Sequence, residues 1–206
     1  YAVLRETENR IILRALAKGG EHERLVKYLL SKSKPLDSEG MTDDAEIQAK
    51  ADEAVKSKDV TVQQRARAEL RAAGGRAVPF LYGYLGSEDP HEVVGAIMAL
   101  RWLQRSATVP LTQCLHSDNP KNRGHAASIL GSIGDKRAKP AVQRQSEMDA
   151  DVGAKAKAAA ACEKLGGPKG SVADAYTALG QRYYSRDVTV IAAFDSTKDM
   201  WRWEDG

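Results

Sequence analysis

The sequence predicts an all-α fold, a right-handed solenoid of antiparallel helix pairs that ends in a short β-rich tail. Three observations predict it. Ala66, Ala96 and Ala126 are spaced by thirty residues, as are Leu70, Leu100 and Leu130, and each leucine follows its alanine by four, one helical turn along the same face. Pro79, Pro110 and Pro140 restart the chain nine or ten residues after those leucines, with Leu81, Leu111 and Ala141 thirty apart behind them. The composition agrees, because 42% hydrophobic residues with only two Phe describes an alanine- and leucine-rich helical core.

A step of about thirty residues marks units whose single apolar face is too small to be stable alone and is buried on the neighbouring unit. Each unit reads as an aspartate (Asp59, Asp89, Asp118), a first helix, a turn, and a second helix starting near the proline. Four repeats follow, 58–88, 89–117, 118–148 and 149–184. The third is expected to pack more loosely, since Gln145 stands where the first two hold Leu85 and Leu115. The fourth contains an insertion, an alanine-rich first helix and an amphipathic second helix from Ser171 to Tyr184 that aligns Val172, Tyr176, Leu179 and Tyr183.

Upstream, residues 1–57 read as a diverged helical cap. A helical pair is expected over 1–32, then an exposed, protease-sensitive loop over 33–42 rich in turn formers, then a helix capped by Thr42 that packs on the first repeat. Gly74-Gly75 and Gly134 stand where first helices must turn left-handed, whereas the second repeat has Gln104, so its first helix is expected to run on. Downstream, over 185–206, Val188–Ile191 and Met200–Trp203 read as two short strands. The closing Asp205-Gly206 is a hairpin signal, so a returning strand is expected beyond it.

The unit resembles the HEAT repeat in its short bacterial form, which is also found in the phycobilisome-lyase branch. Val62 fits the valine site of the aspartate-x-x-valine-arginine pattern, Arg123 fits the arginine site, and Leu130-Gly131 with Ile133-Gly134-Asp135 fits the turn. The resemblance covers roughly residues 59–166. It implies a non-enzymatic protein-interaction scaffold that binds a partner on its concave face or serves as a subunit of a larger complex. A nucleic-acid-binding protein, including a DNA-glycosylase-like enzyme, or a phycobilisome-lyase-like protein is the alternative.

No chemistry-bearing constellation accompanies the repeats. His22, His91, His116 and His125 lie apart, Cys114 and Cys162 are 48 residues apart within apolar helix patterns, and neither set has metal-ligand spacing. The recurring aspartates are explained as helix caps. Gly166-Gly-Pro-Lys-Gly170 lacks the Walker spacing and reads as a turn. No cofactor, metal or catalytic residue is expected, and no apolar run is long enough to span a membrane. The sequence indicates no compartment.

Charge gives a weak pointer to partners. The formal net charge is +3, and twelve Lys/Arg face eight Asp/Glu between Asp59 and Glu147. Within that block Trp102 stands where the other units hold Ala72 and Ser132, and it is flanked by Arg101 and Arg105. A large aromatic between guanidinium groups has the composition of an interface hot spot. Arg137 and Arg144 in the next unit would extend it as a basic strip. These five residues are the candidate partner-binding set.

Overall fold

The computed structural model describes Met41, residues 43–187, Thr189, Val190 and Arg202. The expected helical pair over 1–32, the loop over 33–42 except Met41, and the two short strands of the tail except Thr189, Val190 and Arg202 lie outside these residues; Thr189 and Val190 form a turn. Among the described residues every regular element is helical and there is no strand. The residues fall into two compact units, one from Met41 to Ser185 and another to which Arg186, Asp187, Thr189 and Val190 belong. In the latter, Asp187 accepts hydrogen bonds from both the backbone N–H and the hydroxyl of Thr189.

In the larger unit, α1 spans Asp44–Lys56 and buries Ile47, Ala51, Ala54 and Val55. Its cap lies one residue later than expected. The Asp43 carboxylate accepts the Ala45 N–H at 3.0 Å, and its charge suits the positive end of the helix dipole. The first helices of the next three repeats are α2 (Val60–Ala73), α4 (Pro90–Trp102) and α6 (Pro120–Ile133), beginning thirty residues apart. Their second helices are α3 (Ala77–Tyr82), α5 (Thr108–Gln113) and α7 (Lys139–Met148). Short 3-10 turns lead into all three and extend the first two. The last pair is α8 (Val152–Lys164) and α9 (Val172–Tyr184).

The period of the caps corrects one expectation. Asp59 and Asp89 accept the N–H two residues on, but in the third repeat Asn119 does this and Asp118 does not. The capping position therefore recurs at 59, 89 and 119, and a side-chain amide oxygen serves as well as a carboxylate. Two residues earlier stands a serine each time. Ser57, Ser87 and Ser117 accept the backbone N–H of Asp59, Asp89 and Asn119 at 3.1, 3.1 and 3.2 Å. Asp149 takes the serine's place before Asp151.

Packing follows the solenoid pattern. Each second helix lies against the next unit's first helix, α3 on α4, α5 on α6 and α7 on α8, while first helices contact first helices and second helices contact second. The repeating alanines and leucines are the core: Ala66, Ala96, Ala126, Leu70, Leu100 and Leu130 are all fully or almost fully buried. Helix α1 does more than pack on the first repeat, because it also lies against α4, where a Cβ on Gly95 would come within 2.9 Å of the Val55 carbonyl oxygen. Close approach likewise explains the alanine-rich α8. Its Ala154, Ala158 and Ala161 are buried, and Gly131 of α6 lies so near that an added Cβ would sit 2.7 Å from that of Ala161.

The turns after the first helices have positive φ at both glycines, but only Gly134 (φ +75°, ψ +9°) is in the expected left-handed helical conformation; Gly74 (φ +57°, ψ −130°) takes another glycine-favoured one. In the second repeat α4 does not run on. It ends at Trp102, and Gln104 itself takes φ +52°. The repeat geometry imposes the turn even where the residue is unsuited to it. Nor is the Gln145 position left empty in the third repeat. Gln145 is buried and its amide donates to the Asp149 carboxylate.

Candidate interaction surface

Helix α4 carries the candidate surface. Asp89 caps it, Pro90 opens it without losing a needed N–H, and Gly95, Ala96, Ala99 and Leu100 seat it in the core. The face turned outward holds Val94, Met98 and Trp102, which follow one another at steps of four and are 55%, 50% and 47% exposed. The corresponding positions are Gln64, Ala68 and Ala72 in α2 and Gly124, Ser128 and Ser132 in α6. Among these three first helices, α4 alone carries an apolar stripe at these positions. Trp102 was legible in the sequence as a break in the repeat, but Val94 and Met98 were missed. Comparing three positions across the repeats, instead of one, would have found them.

The five sequence-predicted residues do not form one surface. Arg101 is exposed at the C-terminal end of the stripe beside Trp102, and its guanidinium makes no ion pair among the described residues. Arg105 lies in the following turn, where its Nε is 4.0 Å from the Asp135 carboxylate. Arg137 is buried. It donates to Asp135 from Nε at 2.9 Å and to the Arg105 carbonyl from Nη2 at 2.8 Å, so it ties the turn of one repeat to that of the next. The expected basic strip through Arg137 is corrected accordingly, because the carboxylate of Asp135, two residues away, draws its guanidinium into the turn. Arg144 is exposed elsewhere, in a shallow polar cleft of about 250 Å³ shared with His116, Arg123, Met148 and Asp149.

Other basic groups are also structural. Arg67 is buried and donates to the Ala54 carbonyl and the Gln63 side chain. Arg123 donates to the carbonyls of Ser117 and Asp118 and to both oxygens of Asp149. Gln63, sixty residues before Arg123, reaches the carbonyl of Ser57 in the same way at 2.7 Å. The arginine site of the motif thus serves to close the loop between units.

Residues with chemical potential are dispersed. Cys114 and Cys162 are free and buried, and burial pushes the Cys114 thiol up to about 12, far from thiolate formation. His91 and His116 are exposed and His125 is half-buried. Among the described residues no three His, Cys, Asp or Glu side chains gather as a metal site. The glycine-rich segment forms the turn between α8 and α9, with Gly166, Gly167 and Gly170 at positive φ and the Gly170 carbonyl accepting from the Gln143 amide. No described helix is long and apolar enough to cross a membrane.

Comparison with known families agrees with this architecture. Residues 108–196 match the family model for HEAT repeats. Over that stretch the chain is recognised as HEAT repeats. The match opens at Thr108, on α5, and the thirty-residue period places the preceding repeat in register with it. A search of curated proteins finds no match. HEAT repeats are in general protein-interaction scaffolds and are typically non-enzymatic.

Proposed function

We propose that the chain is a non-enzymatic scaffold, a right-handed HEAT array that holds a partner protein. The observation that carries this reading is the exposed stripe of Val94, Met98 and Trp102 on α4, at positions that are small or polar in the neighbouring repeats. Apolar side chains at helical spacing around an indole are the anchors of protein interfaces. A nucleic-acid reading has less support, since Arg67 and Arg137 are buried and Arg123 is committed to Asp149. A glycosylase-like site would gather aromatics around a carboxylate, and α4 carries a single acidic residue, Glu92, which accepts the Ser87 hydroxyl at 2.6 Å.

Affinity purification of the full chain from its native source tests the proposal. A stoichiometric protein that stays bound after nuclease treatment is the expected result. Retained nucleic acid, with all bound protein released by nuclease, would overturn the reading in favour of the alternative.

A further inference from the structure

Resting on the scaffold reading, we propose that the α4 stripe docks an acidic amphipathic helix of the partner protein. The shape of the face sets the secondary structure. Val94, Met98 and Trp102 form a straight row along one helix, each half-exposed, and Gly95 beside them is pressed on the α1 backbone. Such a row is complementary to another helix with apolar residues at steps of three and four.

Charge sets the partner's composition. The row ends at Arg101, an exposed cation without an ion pair among the described residues, and Arg105 follows in the next turn. Pro90 and His91 stand at its other end, and Glu92, the helix's one acidic residue, is engaged by Ser87. The face is therefore apolar with a cationic end at Arg101, and the exposed carboxylates of Glu88 and Asp89 lie before Pro90, at the opposite end of the helix. A helix whose apolar row is flanked by Asp or Glu satisfies both features, and the guanidinium of Arg101 would pair with that carboxylate as the apolar rows close.

The test uses the full chain and a displayed library of short random peptides. Enriched peptides should carry apolar residues at steps of three and four together with acidic residues. Their binding should weaken about thirty-fold with Met98→Glu and about ten-fold with Arg101→Glu, magnitudes typical of hot-spot and charge-pair losses. Exchanging the peptide's acidic residues for Lys should restore binding to the Arg101→Glu chain. Unchanged helical circular dichroism and melting would show that both variants fold, and both positions are exposed enough to tolerate the change. Enrichment of basic or neutral peptides, binding indifferent to both substitutions, or no enrichment at all would overturn the proposal. A nuclease-resistant protein partner captured through another face would leave the scaffold reading standing while this one fell.

Discussion

Arg123 grips the Asp149 carboxylate with two guanidinium nitrogens, Nε to Oδ2 at 2.9 Å and Nη2 to Oδ1 at 2.6 Å. The pair joins the start of α6 to the turn between α7 and α8. The Asp149 side chain is 1% exposed and also accepts the Asp151 N–H and the Gln145 amide. Removing one partner leaves a buried charge unmatched, so Arg123→Ala should cost about 2–4 kcal/mol by denaturant unfolding. The Arg123 hydrogen bonds hold the Asp149 carboxyl below its usual range. A carboxylate depressed by folding stabilises above its unfolded pKa and loses that contribution as pH falls through the folded value. The melting temperature should therefore drop below the ordinary carboxylate range of about pH 4, and Asp149→Asn should flatten that drop.

How much of this was legible depends on what repeats. The buried alanines and leucines recur in identity, so the core and the helix pairs could be read directly. The third cap was misplaced at Asp118 because an aspartate was sought where Asn119 does the work, and the serines at 57, 87 and 117 passed unnoticed although their spacing is perfectly regular. The fate of Arg137 was not legible, since its burial depends on the turn that brings Asp135 and the Arg105 carbonyl around it.

Gln104 offers a test of the turn geometry. A side chain at φ +52° crowds the following carbonyl, at a cost of about 1–2 kcal/mol for an L-residue, whereas glycine gives back part of that in unfolded-state entropy. Gln104→Gly should raise stability by about 0.5–1 kcal/mol. A loss of stability would show that the glutamine side chain is holding the turn by contacts of its own.

The contact of Gly131 with Ala161 should behave as a matched pair. A Cβ at residue 131 would lie 2.8 Å from the Ala161 Cα as well as 2.7 Å from its Cβ, too close for either backbone to ignore. Gly131→Ala is expected to cost about 1–3 kcal/mol by overpacking despite its better helix propensity. Adding Ala161→Gly should recover only part of this, because the clash with the Cα remains. Calorimetric melting of the single and double variants measures the coupling.

His125 gives a second pH effect, in a different window. Its half-buried position pushes the imidazole pKa down, and Lys157 and Lys121 add to the shift. The unfolded chain then binds the proton more readily than the folded one. Stability from this residue is present above its ordinary pKa near 6.5 and is lost as pH falls through the lowered folded value. Denaturation midpoints should decline from pH 7 towards pH 5, and His125→Asn should remove the decline attributable to this site.

Leu100 and Trp102 stand two residues apart on α4 and should respond unequally to truncation. Leu100 is completely buried at the centre of the array, so Leu100→Ala removes a core side chain and should cost about 2–5 kcal/mol. Trp102 is 47% exposed, and an indole filling the space between repeats would instead be enclosed. Its truncation should cost no more than about 1–2 kcal/mol, below the 3–5 kcal/mol typical of a buried aromatic, because only the packed half of the ring loses contacts. Urea unfolding of the two variants side by side decides the matter. A Trp102→Ala loss as large as that of Leu100→Ala would mean that the indole supports the array, and the outward stripe would then lose its largest anchor.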